Sequence, residues 1–102
     1  MVFEVASPGQ NPAPSIIAIQ PWQTIARGAA SSPVTLRVLG EDFVPGAQAQ
    51  WNGQDRPTQR LSENELWVTL NGLDVAFGGS GAVTAVNPAP GGGASNPAAF
   101  AI

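Results

Sequence analysis

The chain has 102 residues, a formal net charge of −3 and an isoelectric point near 4.4. This length allows one domain with a single core, and no apolar run approaches the ~20 residues of a membrane-spanning helix. All four basic residues are arginines. The chain therefore lacks the basic surface that holds phosphates, and we expect neither nucleic-acid binding nor membrane insertion.

The side chains that most enzymes use at neutral pH are missing. The sequence contains no histidine, cysteine, lysine or tyrosine, which removes the usual proton shuttle, thiol nucleophiles and Schiff-base chemistry. We therefore predict that the domain is not an enzyme and that it binds no cofactor.

Carboxylates are the remaining reactive groups. The close acidic pairs are Glu41 with Asp42 and Glu63 with Glu65, and both pairs are predicted at strand ends, where solvated turn residues are expected. Calcium is the metal that suits oxygen ligands alone, and its candidate ligands are Glu41, Asp42, Asp55 and Asp74. Because these residues do not follow the alternating acidic spacing of a calcium loop, no metal site is predicted.

Short strands are predicted through the first part of the chain. Twelve glycines and ten prolines leave no window for an ordinary helix, and apolar residues alternate with a period of two. Strands are predicted at residues 15–20, 34–38 and 47–51. Asn52-Gly53 is a strong hairpin signal because both residues tolerate positive φ, and the return strand is predicted near residues 57–61.

The second part continues in the same way. Its predicted elements are a strand at 66–70, a glycine-rich connection at 71–81 with one helical turn around 73–77, a weak strand at 82–87, a loop at 88–93 and a last strand at 97–102. About seven short strands separated by turn signals predict an all-β, immunoglobulin-like β-sandwich.

The N-terminal residues do not fit the sandwich. Residues 3–5 (Phe-Glu-Val) echo residues 100–102 (Phe-Ala-Ile), as expected if they are the last strand of a preceding copy. The proline-rich stretch at 7–14 would then be a linker; the alternative is a disordered terminus. The predicted domains are a linker and possible tail of a preceding domain at 1–10, and the sandwich at 11–102.

These residues resemble the IPT/TIG domain, an immunoglobulin-like fold, and most closely its tandem bacterial copies. The resemblance covers residues 11–102. It is carried by Pro14-Ser15-Ile16 with Ile19-Gln20-Pro21, by residues 34–40 followed by Asp42-Phe43-Val44-Pro45-Gly46, by Trp51-Asn52-Gly53, and by residues 87–93 with Ser95-Asn96 before Phe100. The sequence departs from the family at Asn71, where bacterial relatives often have proline.

The resemblance implies a role without catalysis. IPT/TIG domains of bacterial proteins space or brace neighbouring domains, so we expect partners within the same chain and an extracellular, cell-surface or periplasmic location, with the signal outside this segment. The alternative is a module that binds carbohydrate or another protein. Self-association through an edge strand is a further hypothesis, because the chain has few charges and no lysine.

The three tryptophans differ in their predicted surroundings. Trp51 lies on the inward face of its strand and is predicted to pack in the core. Trp67 alternates with Leu66 and Val68, so its ring should point away from the core, where it either contacts a ligand or partner or lies under a loop of the same domain. Trp22 follows a strand exit, where it either caps the domain or is exposed, and it is the second candidate contact. The residues predicted to form the core are Trp51, Leu36, Val38, Phe43, Leu66, Val68 and Phe100.

Four polar residues are further candidates for the surface around Trp67. Thr35, Arg37, Gln59 and Thr69 are predicted on outer sheet faces by strand alternation. Which of them share a sheet with Trp67 stays open at the level of sequence.

Overall fold

A computed structural model describes residues 10–26, 28 and 32–102 of the chain. The predicted strand at residues 3–5 lies outside them. The described residues form nine strands: β1 (Ser15–Gln20), β2 (Val34–Glu41), β3 (Gln48–Trp51), β4 (Gln54–Asp55), β5 (Thr58–Ser62), β6 (Glu65–Leu70), β7 (Ser80–Asn87), β8 (Gly93–Ala94) and β9 (Ala98–Ala101).

The strands form two antiparallel sheets that pack as an open sandwich. The first sheet has the order β1-β2-β6-β5. In the second, β7 pairs with β3 along one edge and with β8 and β9 along the other, while β4 extends the sheet beyond β3. The predicted all-β sandwich is confirmed. It has nine strands rather than about seven because β4 and β8 are two-residue strands, which leave little periodic signal in the sequence.

Alternation along the strands determines which side chains enter the core. In β6, Leu66, Val68 and Leu70 are fully buried while the residues between them are not. Successive side chains of a strand point to opposite faces, so this pattern gives the first sheet one apolar face and one polar face. Every described side-chain polar atom that is buried in the sandwich has a hydrogen-bond partner.

The core lies between the two sheets. The seven residues predicted there are each at most 5% exposed. Trp51 packs edge-on against Phe100, with ring centroids 6.0 Å apart and an interplanar angle of 77°, a geometry that aromatic pairs favour. Gly81 leaves space for the indole of Trp51, because a Cβ atom at position 81 would overlap the ring.

The Asn52-Gly53 hairpin forms as predicted, but a different segment from the predicted one forms its return strand. Both residues have positive φ, +50° and +86°, as a type I′ turn requires. The returning strand is the two-residue β4, whereas the predicted return segment forms β5 and pairs with β6 in the other sheet. Between them stands Pro57, which has no N–H to continue the ladder.

The connection at residues 71–79 forms turns rather than a helix. Three successive hydrogen bonds link residues three apart, ending with the Ala76 nitrogen donating to the Leu73 oxygen at 3.4 Å. Val75 and Ala76 are buried, whereas Leu73 and Phe77 stay exposed. No helix in the described part of the chain has the length and apolarity needed to cross a membrane.

Different segments of the chain lie at the two ends of the sandwich. At one, the Asn11 end, the nitrogen of Asn11 donates to the Pro90 oxygen at 2.8 Å, and the Asn87 side chain donates to the Pro12 oxygen at 2.8 Å. At the other, the Ile102 end, the nitrogen of Ile102 donates to the Gly79 oxygen at 2.9 Å. Asn11 and Pro12 are therefore tied to the domain.

Candidate functional site

Trp67 lies on the outer face of the first sheet, where 41% of its surface is exposed. Strand register places it opposite Arg37 of β2 and Gln59 of β5, and Arg37 is in turn opposite Gln20 of β1. Since side chains of directly opposed residues share a face, these four residues form one row across the whole sheet.

The indole of Trp67 is held in position by charged neighbours. Its Nε1 donates a hydrogen bond to Glu65 Oε2 at 2.7 Å, and Arg37 Nε donates to the same oxygen at 3.0 Å. Arg37 Nη1 also donates to Gln20 Oε1 at 3.4 Å. The hydrogen bonds from Arg37 and then from Trp67 lower the pKa of Glu65. The carboxylate thus stays charged at neutral pH and is balanced by the guanidinium beside it.

A shallow groove of about 360 Å³ runs along this face beside the indole. Its lining residues are Thr35, Pro57, Thr58, Gln59, Trp67 and Thr69. None of them is charged. Thr58 Oγ1 is engaged by the Ala49 nitrogen at 3.0 Å, whereas no hydrogen bond within the described residues uses the side chains of Thr35, Gln59 or Thr69. The structure therefore brings three of the four polar candidates into the groove and places the fourth, Arg37, next to Trp67.

Trp22 belongs to a different part of the surface. It is 60% exposed and does not line the groove beside Trp67. Its carbonyl accepts a hydrogen bond from the Ala101 nitrogen at 3.0 Å, which ties it to β9 of the second sheet, at the Ile102 end. The two candidate tryptophans therefore do not form one site.

The carboxylates considered for calcium are dispersed. Asp74 forms a bidentate ion pair with Arg56, with both nitrogen–oxygen distances at 2.7 Å, and Asp55 accepts from Gln50 at 2.9 Å. Within the described residues, no three acidic side chains come together in a group that could hold a metal ion.

Among the described residues, five exposed large apolar side chains were not singled out by the sequence as possible contacts: Ile17, Ile25, Leu61, Leu73 and Phe77. Ile25, Leu73 and Phe77 are 73%, 80% and 74% exposed. Leu73 and Phe77 belong to the turn that follows β6, and Ile25 follows the segment paired with β9, so all three lie at the Ile102 end. The sequence signal that could have identified Ile25, Leu73 and Phe77 is that each is a large apolar residue within a glycine-rich or polar segment.

These features describe a two-sheet antiparallel β-sandwich of about 100 residues with one exposed, hydrogen-bonded tryptophan on its first sheet. No protein-family model matches the chain, and no curated protein is significantly similar to it.

Proposed function

We propose that this protein is an IPT/TIG-type immunoglobulin-like domain and acts as a non-enzymatic structural module, spacing other domains of an extracytoplasmic bacterial protein. The proposed family rests on the resemblance in the order of the sequence motifs, with which the two-sheet architecture is consistent. The observation that carries the proposed function is that residues 11–12 and residues 101–102 lie at opposite ends of the sandwich.

The separation of the two ends follows from β7. Its first residue, Ser80, pairs with Ala101 just before Ile102, and its last, Asn87, bonds to Pro12. Eight strand residues at about 3.3 Å per residue span roughly 23 Å along the strand. Neighbouring domains joined at the two ends would therefore be held apart by the length of the sandwich, as in a string of beads.

The apolar residues at the Ile102 end support contact with a neighbouring domain. Ile25, Leu73 and Phe77 are largely exposed on segments at this end, and we propose that they form an apolar patch of the kind that commonly marks an interaction surface. The turn that presents Leu73 and Phe77 is braced by the ion pair of Asp74 with Arg56. A braced apolar end fits a fixed angle between successive domains better than free hinge motion.

A tandem of two copies joined through residues 1–10 tests this role by small-angle X-ray scattering. We expect an elongated particle whose maximum dimension is close to twice that of one copy, with a narrow distribution of shapes. Leu73→Ser with Phe77→Ser should broaden that distribution. The matched control is Leu61→Ser, which removes an apolar side chain that is also exposed but lies on β5. A compact side-by-side pair, or equal flexibility in all three tandems, would contradict the proposal.

The extracytoplasmic location is proposed from the family resemblance. Fractionation of cells that produce the native protein, with an antibody against this domain, tests it. Recovery in the cytoplasm alone would contradict it.

A second candidate function is ligand binding, and one observation favours it. Trp67 combines 41% exposure with a hydrogen bond that fixes its ring, so that part of its apolar surface is open to a ligand and already held in position. We propose that this face binds carbohydrate or another protein, and that Trp67 contributes more to binding than Trp22.

A further inference from the structure

The outer face of the first sheet presents a grid of side chains around the groove. Thr35 is opposite Thr69, and Trp67 is opposite Gln59, while Trp67 and Thr69 are two residues apart on β6. Neighbouring strands are about 4.8 Å apart, and alternate residues of one strand about 6.7 Å apart. The hydroxyl groups of Thr35 and Thr69 and the amide of Gln59 therefore lie on strand positions next to that of Trp67.

The charge of this face identifies the kind of ligand. The groove lining contains no ionised side chain, and the two charged side chains beside the indole, Arg37 and Glu65, form an ion pair at 3.0 Å. Among the described residues, the groove therefore offers no unpaired cation to a phosphate, a sulfate or an acidic sugar. A basic peptide would find no free carboxylate.

The polar groups of the groove are those that bind hydroxyls. Thr35 and Thr69 each offer a donor and an acceptor, and the Gln59 amide offers both. None of these side chains is engaged by another described residue, so a ligand can bind them without breaking an internal hydrogen bond. The indole supplies an apolar plane, and the C–H faces of a pyranose ring are apolar while its rim carries hydroxyls.

Resting on the second function proposed above, we infer that the groove beside Trp67 is a subsite for a neutral saccharide chain. The sugar ring packs on the indole, and its hydroxyls bond to Thr35, Thr69 and Gln59. The ion pair of Arg37 with Glu65 has a positioning role, because it holds the carboxylate that fixes the ring nitrogen of Trp67. A shallow open groove suits a chain that continues beyond the site in both directions.

The test is a titration of the domain with neutral oligosaccharides, in which tryptophan fluorescence and calorimetry detect binding. The probes are the hexasaccharides of β-1,4-glucose, β-1,4-mannose, β-1,4-xylose and α-1,4-glucose, and the hexamer of galacturonic acid is the acidic control. We expect at least one neutral probe to bind and the acidic probe not to bind.

Variants of the two exposed tryptophans identify the site. Trp67→Ala should weaken binding by about tenfold, equivalent to about 1.4 kcal/mol, because the sugar loses the apolar plane on which it packs. Trp67→Phe keeps an aromatic plane without the bond to Glu65 and should lose only a few-fold. Trp22→Ala, which removes a more exposed tryptophan outside the groove, should weaken binding less than Trp67→Ala.

A threonine pair separates hydrogen bonding from general effects on the sheet. Thr69→Ala should weaken binding several-fold, whereas Thr84→Ala, a half-buried threonine on the second sheet, should not. Circular dichroism of each variant establishes that it is folded.

Three outcomes would overturn the inference: no neutral probe binds at millimolar concentration, the acidic probe binds best, or Trp67→Ala binds as well as the unchanged domain. Binding of a protein ligand through Trp67 without any sugar binding would also overturn it, while leaving the broader binding function in place. The scattering experiment on the tandem is independent of all these results, so the spacer role can stand or fail by itself.

Discussion

Asn87 is the buried polar residue whose replacement should affect stability most informatively. It is 2% exposed, and its side-chain amide donates to the oxygens of Pro12 at 2.8 Å and Asp42 at 2.6 Å. Its Oδ1 accepts from the Val44 nitrogen at 3.4 Å. One side chain thus joins three segments at the Asn11 end.

The cost of removing this amide can be worked out from those contacts. Asn87→Ala removes two well-formed donated bonds, each with a net contribution of about 0.5–1.5 kcal/mol, and leaves the two carbonyl oxygens without that donor. We expect a loss of roughly 2–4 kcal/mol in the free energy of unfolding. Asn11→Ala is the control, because it removes one bond to the Pro88 oxygen on the exposed surface and should cost under about 1 kcal/mol.

Asn87→Asp distinguishes the role of the donor from that of side-chain volume. The acid has nearly the shape of the amide, but at neutral pH an oxygen would face the two carbonyl oxygens, so the pKa of the new carboxyl should be raised by burial and repulsion. A raised folded-state pKa means that the folded protein holds the proton more tightly than the unfolded chain. The variant should therefore lose stability, relative to the unchanged protein at the same pH, as the pH rises from 4 to 7.

Urea unfolding followed by the fluorescence of the buried Trp51 measures these differences. At pH 7 the order of stability should be unchanged protein, Asn87→Ala, then Asn87→Asp. A loss of less than about 0.5 kcal/mol in Asn87→Ala, or a penalty of Asn87→Asp that does not change with pH, would contradict this role of the Asn87 amide.

Three further predictions concern other sites of the fold. Hydrogen bonds from Arg56 lower the pKa of Asp74, so this pair stabilises the protein at pH values above the unfolded pKa near 4, and the stabilisation is lost as the pH falls through the lower folded pKa. Asp74→Asn should therefore cost about 2 kcal/mol at pH 7 and should lose less stability on acidification than the unchanged protein. Urea unfolding at several pH values measures both effects. Gly81→Ala should destabilise the folded domain by about 1–3 kcal/mol or more, because its methyl group would overlap the ring of Trp51. Near-ultraviolet circular dichroism should detect the displaced indole, and an unaltered spectrum with unchanged stability would contradict this packing. Gly53→Ala places a Cβ at φ +86° and should cost about 1 kcal/mol, seen as a thermal unfolding midpoint lowered by roughly 4–8 °C, whereas an unchanged midpoint would mean that the turn tolerates another geometry.

The local features of the fold were predictable from the sequence. Alternation gave the inward faces of residues 34–38 and 66–70, since a strand has a period of two wherever it is half-buried. Asn52-Gly53 predicted its own turn because the positive φ of both residues is a local requirement. Burial of Trp51 followed from the same alternation.

Pairing between strands was decided by the tertiary structure alone. The return segment after Asn52-Gly53 matched a strand pattern equally well in either sheet, and only the crossing near Pro57 placed it beside β6. The row from Gln20 to Gln59 depends on the registers of three strand pairs, and a shift of one residue in any of them would turn its side chains to the other face. No pattern within one strand carries that information.

The sequence by itself therefore determined that the chain forms short alternating strands around an apolar core and that it lacks histidine, cysteine, lysine and tyrosine. The tertiary structure decided that Trp67 is partly exposed beside an uncharged groove, and that residue 11 and residue 102 lie at opposite ends. The physical reason is range: strand period and turn geometry depend on adjacent residues, whereas the Trp67 groove is assembled from β2, β5 and β6, which only long-range hydrogen bonding and burial bring together.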